Sequence, residues 1–270
     1  MAIKACISSW GYRKWFTEKK CDFLSFLDEC QRQGADGFEI FPWHIDRERL
    51  EEEVTAIVAK ARKLKLEVSS LIVGNDFAHP EIAKRAAEVA WMVRSINLAA
   101  ELGLPRLNVF TGNRRIGHDP EMETQRVIDC FREVCPLAEA KGVLLCMENH
   151  SSVYPDVDGL LWVMKKIDSK ALVTNPDPSN ACGNYTERSE KEREIIYTSL
   201  EKFAPGAKNV HLKVRDFKAD GEHAFLDLPR IAGILKKAEY EGSVVIEYHG
   251  TDDPVEPVAK GLALVRKYFR

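Results

Sequence analysis

The sequence predicts an α/β protein built as a single (β/α)8 barrel spanning residues 1–270. Three observations carry that reading. Eight apolar, strand-like segments alternate with eight helix-like segments, the count and chain length of this architecture. The strands read as short continuous apolar runs, Val143-Leu144-Leu145-Cys146-Met147 among them, as expected of parallel strands buried on both faces. No G-x-G-x-x-G, P-loop or G-x-S-x-G signature occurs, which disfavours an open doubly wound sheet with a glycine-rich first turn.

Taken in order, residues 4–10 form the first strand, leading into an aromatic loop from Trp10 to Phe16. Residues 21–33 place Phe23, Phe26, Leu27 and Cys30 at helical spacing, and Gly34 stands where a helix C-cap is expected. A second strand over 37–41 and a helix over 46–64 follow, then a strand over 66–73 and a long amphipathic helix over 80–102 closed by Gly103. The pattern continues with strands at 106–112, 143–150, 171–175, 209–215 and 243–248. Helices are predicted at 120–140, 156–167, 190–203, 228–240 and 255–268. No linker or low-complexity segment interrupts the alternation, so one domain is expected.

Bulk composition narrows the function. Hydrophobic residues make up 45% and charged residues 30%, an ordinary globular balance. The 42 acidic residues slightly outnumber the 39 basic ones, for a net charge of −3, and the pI is near 6.2. That balance predicts no electrostatic footprint for nucleic acid or an anionic membrane. The N-terminus lacks the basic flank and apolar core of a signal peptide, and no apolar run approaches the roughly 20 residues of a membrane span. Seven cysteines occur with none in a C-x-x-C pair, and the closest two, Cys130 and Cys135, fall inside a predicted helix. They read as reduced thiols in a cytoplasmic protein.

In a barrel of this kind the strand C-termini surround one mouth. The last four units place Glu148, Asp177, His211 and Glu247 there. Singly, each is more often a solvated carboxylate or a structural histidine. Together, three carboxylates directed into one cavity repel unless a cation or protons neutralise them. Three oxygen donors and one imidazole suit a divalent ion such as Mn²⁺, Mg²⁺ or Co²⁺, and a cysteine-free set argues against structural zinc.

The motifs Met147-Glu148-Asn149-His150, Asp177-Pro178-Ser179-Asn180, His211-Leu212-Lys213 and Ile246-Glu247-Tyr248 give the chain its resemblance to a family. It resembles the xylose-isomerase-like TIM barrel superfamily, the sugar phosphate isomerase/epimerase group, over nearly its full length. The resemblance implies that Glu148, Asp177, His211 and Glu247 bind one divalent metal ion, Mn²⁺ first, with Mg²⁺, Co²⁺ or Zn²⁺ as alternatives. It also implies Glu148 and Glu247 as the catalytic acid/base pair, and family members are often homo-oligomers, although no stretch of this sequence declares an interface. One departure is Asn180, where ketose 3-epimerases of the family carry histidine. An amide there can still donate to and accept from a sugar hydroxyl.

Strand alternation suggests further substrate-binding residues. Lys213 and Arg215 share a face with His211, His150 shares a face with Glu148, and Glu39 closes the second strand. Trp10 and His44 sit on loops that would wall the pocket. His79, His118 and His223 read as surface loop residues.

The expected function is a divalent-metal-dependent isomerase or epimerase of a sugar or keto-sugar, removing the proton beside a carbonyl to form an enediolate. The alternative is a metal-dependent lyase or dehydratase acting on a keto-sugar, inosose or keto-glycoside, since both need that enediolate. A multi-zinc endonuclease of the same superfamily would require more histidine ligands and a basic surface.

Overall fold

The computed structural model describes residues 3–150, 154, 156–182 and 189–270. Eight parallel strands run in barrel order: β1 (Lys4–Ser8), β2 (Gly37–Ile40), β3 (Glu67–Ile72), β4 (Arg106–Val109), β5 (Leu144–Glu148), β6 (Leu172–Asn175), β7 (Asn209–Val214) and β8 (Ser243–Tyr248). Successive strands pair from β1 to β6, β8 pairs with both β1 and β7, and every pairing is parallel. The seam between β6 and β7 is the loosest part of the ring. There Lys208 N donates to Thr174 O at 3.3 Å and His211 N to Pro176 O at 3.0 Å.

A short α1 (Arg13–Thr17) precedes the helical layer of α2 (Phe23–Arg32), α3 (Leu50–Leu64), α4 (Ile82–Leu102), α5 (Pro120–Lys141), α6 (Val157–Ile167), α7 (Glu190–Phe203), α8 (Leu228–Lys237) and α9 (Val255–Phe269). Local chemistry sets the ends. Asp22 and Ser25 form a capping box at the start of α2, and Asp119 caps α5 with Pro120 at its first position. Gly103 closes α4 in the left-handed region at φ 70°, which costs a glycine little.

Strand parity divides the interior. Leu145 and Met147 of β5 belong to the large apolar core between the sheet and the helices, as do Val244 and Ile246 of β8. The residues of opposite parity, Cys146 and Glu148 on β5 and Val245 and Glu247 on β8, are buried but outside that cluster and face the barrel lumen. Burial pushes the Cys146 thiol up to about 12, in keeping with an inert packing residue. The six cysteines whose side chains are described carry free thiols, and five of them are buried. No described helix is long and apolar enough to cross a membrane.

Several elements are shorter than the periodicity predicts, each for a local reason. The first strand ends at Ser8, which caps a 3-10 turn over Ser9–Tyr12. β4 stops at Val109 because the Asn75 side chain takes over the ladder, accepting from Phe110 N at 3.0 Å and donating to Phe110 O at 2.6 Å. The helix expected over 46–64 divides into a 3-10 turn at Arg47–Arg49 and α3. β7 ends at Val214, which puts Arg215 outside the strand.

Candidate active site

The candidate site is built from the C-terminal ends of β5 and β8, the middle of β7 and the segment after β6. Glu148 is the last residue of β5, Asp177 lies just beyond β6, and His211 and Glu247 project inward from β7 and β8. All four are buried, Glu247 being the most accessible at 9% exposed. Glu148, Asp177 and His211 each offer a ligand atom, and these atoms lie within 4.8 Å of one another. Glu247 Oε2 is 3.4 Å from His211 Nδ1, and Glu148 Oε2 is 3.3 Å from the same nitrogen.

The surrounding polar groups fix this arrangement. Glu39 Oε1 lies 2.9 Å from His211 Nε2 and also accepts from Ser70 Oγ. Asn108 Nδ2 donates to Glu148 Oε2 at 2.8 Å, and Asn180 Nδ2 donates to Glu148 Oε1 at 3.0 Å. Lys213 Nζ donates to Asn180 Oδ1 at 2.5 Å and stands 3.0 Å from Asp177 Oδ2. Asn149 holds the backbone of Asp177 from both sides, accepting from its N–H at 2.7 Å and donating to its carbonyl at 3.0 Å. His249 Nε2 lies 2.7 Å from Glu247 Oε1.

The donor set fits a divalent cation on observations internal to this structure. His211 Nδ1 is fully buried and makes no well-formed hydrogen bond, although two carboxylate oxygens lie close to it. With Nε2 directed at Glu39, Nδ1 is the ring atom turned toward the acidic cluster, the carboxylate–histidine arrangement that orients metal-binding imidazoles. Asp177 Oδ2 is likewise buried without a well-formed hydrogen bond.

The electrostatics follow from crowding. Burial alone would strip the His211 ring of its proton, but the Glu39 and Glu148 carboxylates outweigh that and hold its pKa well above the ordinary histidine value. Burial would raise the Glu148 and Glu247 carboxyls, yet both are held low, Glu148 chiefly by His211 and Glu247 chiefly by Lys213. Asp177 goes the other way, because burial and the neighbouring Glu148 and Glu247 charges outweigh Lys213. Lys213 itself is raised: burial opposes its charge, but Asp177 and the two glutamates overcome that opposition.

Above these groups opens a cavity of about 320 Å³, whose floor includes Glu148, His211 and Glu247. Trp10 and His150 line it, as the sequence suggests. Four other expected substrate contacts do not. Glu39 is fully buried and engaged by His211 and Ser70. Asn180 and Lys213 are tied to each other and to Glu148 and Asp177, and neither lines the cavity. Arg215 is solvent-exposed beyond the end of β7 and pairs with Asp216 at 2.7 Å. A fifth, His44, stacks on Phe16 at 4.5 Å, while its neighbour Trp43 reaches the cavity instead. His223 is also not a surface residue. It is buried, with Nε2 2.9 Å from Lys213 O and Nδ1 accepting from Phe225 N and Leu226 N.

Sequence reasoning missed His249, Asn108 and Trp43. For His249 a signal was present: Glu247-Tyr248-His249 repeats the Glu-x-His spacing of Glu148-Asn149-His150. Both imidazoles line the cavity, each beside its own carboxylate strand. Asn108 and Trp43 carry no such pattern.

Comparison with known proteins agrees with the barrel. The model of the xylose isomerase-like TIM barrel family matches residues 27–268. The chain belongs to this family. Among solved structures, this family member is similar to a D-psicose 3-epimerase at 17% identity and a TM-score of 0.76, with 99% of each chain covered. It is also similar to a D-psicose 3-epimerase from Clostridium cellulolyticum H10, at 15% identity and a TM-score of 0.75 over 99% of each chain. A 3-keto-D-glucoside 4-epimerase from E. coli aligns at 18% identity and a TM-score of 0.72, covering 91% of this chain and 94% of that one. At these identities the likeness is one of fold. Comparison with curated proteins finds no match.

Proposed function

We propose that the protein is a divalent-metal-dependent isomerase or epimerase of a sugar or keto-sugar. The observation that carries this reading is the buried His211 Nδ1, directed by Glu39 into a cluster of three carboxylates at the floor of an open cavity. Glu148, Asp177, His211 and Glu247 are the groups that would hold the ion, with Mn²⁺ the first candidate. Such an ion polarises a carbonyl oxygen and stabilises negative charge developing on it.

The remaining chemistry falls to the chain's own side chains. Glu148 and Glu247 approach the cavity floor from β5 and β8, so a carbon held between them presents its C–H to one carboxylate and its opposite face to the other. One removes the proton beside the carbonyl and the other returns it. Asn108 and Asn180 fix the orientation of Glu148, and His249 that of Glu247. Lys213 lowers the repulsion among the acids without entering the cavity. Sugar epimerases among the structurally similar proteins support the same class of substrate.

The test is a panel of keto-sugars, inososes and keto-glycosides incubated with the Mn²⁺-loaded protein in D₂O and followed by NMR. Solvent deuterium in recovered or epimerised sugar is expected. Loss of water or of an aglycone would instead indicate lyase chemistry, and full activity in a metal-free preparation would overturn the metal-dependent reading.

A further inference from the structure

Resting on that reading of the site, we propose that the substrate is an uncharged sugar carrying an apolar, planar substituent, a glycoside in place of a free or phosphorylated sugar. The cavity divides its chemistry by depth. Its floor is polar, with Glu148, His211 and Glu247, whereas its rim is carbon-rich. Trp10, Phe41 and Trp43 form a continuous wall, with ring centroids 4.9 Å apart for Trp10–Phe41, 4.6 Å for Phe41–Trp43 and 5.8 Å for Trp10–Trp43. Trp43 stands edge-on to both neighbours and leaves 66% of its surface exposed at the mouth. A large indole held open to solvent at a cavity rim is the kind of surface that a ligand covers.

Two amide side chains at the rim are already engaged. The Asn75 amide is committed in both directions to the Phe110 backbone, and Asn113 Nδ2 points to Asp76 at 3.3 Å. A second sugar ring at this level would find few partners for its hydroxyls beyond the His150 imidazole, whereas an aromatic substituent would find ring faces and edges. Trp10 Nε1 is a buried donor without a hydrogen-bond partner.

Charge points the same way. Among the described residues no lysine or arginine lines the cavity. Three cations close to the site are engaged within the protein: Arg13 by Tyr248 O and Gly250 O, both at 2.9 Å, Arg115 by Asp76 at 2.6 Å, and Lys213 by Asp177 and Asn180. Apart from an ion held at the floor and the His150 and His249 imidazoles, a phosphate group would meet carboxylates at the floor and carbon at the rim, with no lysine or arginine to pair with it.

The experiment is calorimetric titration of the Mn²⁺-loaded protein with matched phenyl and methyl β-glycosides of glucose, galactose and xylose, with glucose and glucose 6-phosphate alongside. In at least one pair the phenyl glycoside is expected to bind tenfold or more tightly than its methyl partner. Trp43→Ala, whose melting should match that of the wild type, is expected to bring the phenyl glycoside down to the methyl level and leave the methyl glycoside unchanged. Equal affinities within every pair, no binding by any glycoside, or tighter binding of glucose 6-phosphate than of glucose would overturn the proposal. Because binding is read without turnover, absence of deuterium exchange would remove the epimerase reading and leave a phenyl preference standing.

Discussion

Glu39 Oε1 lies 2.9 Å from His211 Nε2, joining two residues 172 positions apart in a fully buried pair. The contact chooses which nitrogen of His211 faces the acidic cluster and fixes the plane of the ring. Because carboxylates placed behind metal-binding histidines contribute strongly to affinity, Glu39→Gln is expected to weaken Mn²⁺ binding by about 10–100-fold. Calorimetric titration checks this, with circular dichroism to show that the barrel persists. An unchanged affinity would mean that His211 is not a ligand.

The pH dependence of that binding follows from the raised His211 pKa. Without an ion, the Glu39 and Glu148 carboxylates keep the ring protonated at neutral pH, so an entering cation must displace a proton. Below the raised pKa, each unit of falling pH is expected to weaken apparent affinity about tenfold, or roughly 1.4 kcal/mol. Titration in buffers of different ionisation enthalpy should show about one proton released per ion. Binding without proton release would contradict the assignment.

The same pair sets a stability trend in the metal-free protein. A folded-state pKa raised above the unfolded value near 6.5 stabilises the fold fully below that pH. This contribution should decline as pH rises from about 6.5 through the folded-state pKa. Urea midpoints for wild type and His211→Gln should therefore converge as pH is raised over that window.

Lys213 is the buried counter-ion of Asp177, at 3.0 Å and 3% exposed. Replacing it with methionine leaves the acids short of one positive charge, a loss of about 3–5 kcal/mol for a broken buried pair. Mn²⁺ would supply the missing charge, so Lys213→Met is expected to gain more thermal stability from Mn²⁺ than the wild type gains. Equal increments in Tm would contradict this role.

Glu148→Gln and Glu247→Gln each remove one candidate proton carrier and are expected to reduce deuterium exchange by about 10²–10⁴-fold. Because both residues also belong to the proposed ligand set, metal content must be measured on the same samples. A variant that stays metal-loaded yet inactive separates proton transfer from metal loss.

The barrel was legible because its signal is local. Apolar runs such as Val143 to Met147 and the helical spacing of Phe23, Phe26, Leu27 and Cys30 appear within single elements. The strand ends blurred where a side chain from another loop replaced the ladder, as Asn75 does at Phe110. The four acidic and imidazole positions were legible for a related reason: Glu148, Asp177 and Glu247 lie at or near strand ends and His211 points inward from the middle of β7, and the topology brings these strands together.

By itself the sequence determined the alternation, the parity of each strand and so which side chains turn toward the lumen. Tertiary structure decided what those inward groups meet. Parity turns Glu39 and Lys213 inward, but cross-strand register delivers Glu39 to Ser70, through the irregularity at Phe38/Glu39, and packing across the lumen brings it to His211. Packing likewise places Lys213 against Asp177 and Asn180, outside the cavity lining, and leaves Trp43 instead of His44 at the mouth. The physical reason is range. Periodicity is written in neighbouring residues, whereas hydrogen-bond and ion partners are set by distances across the barrel that no single segment encodes.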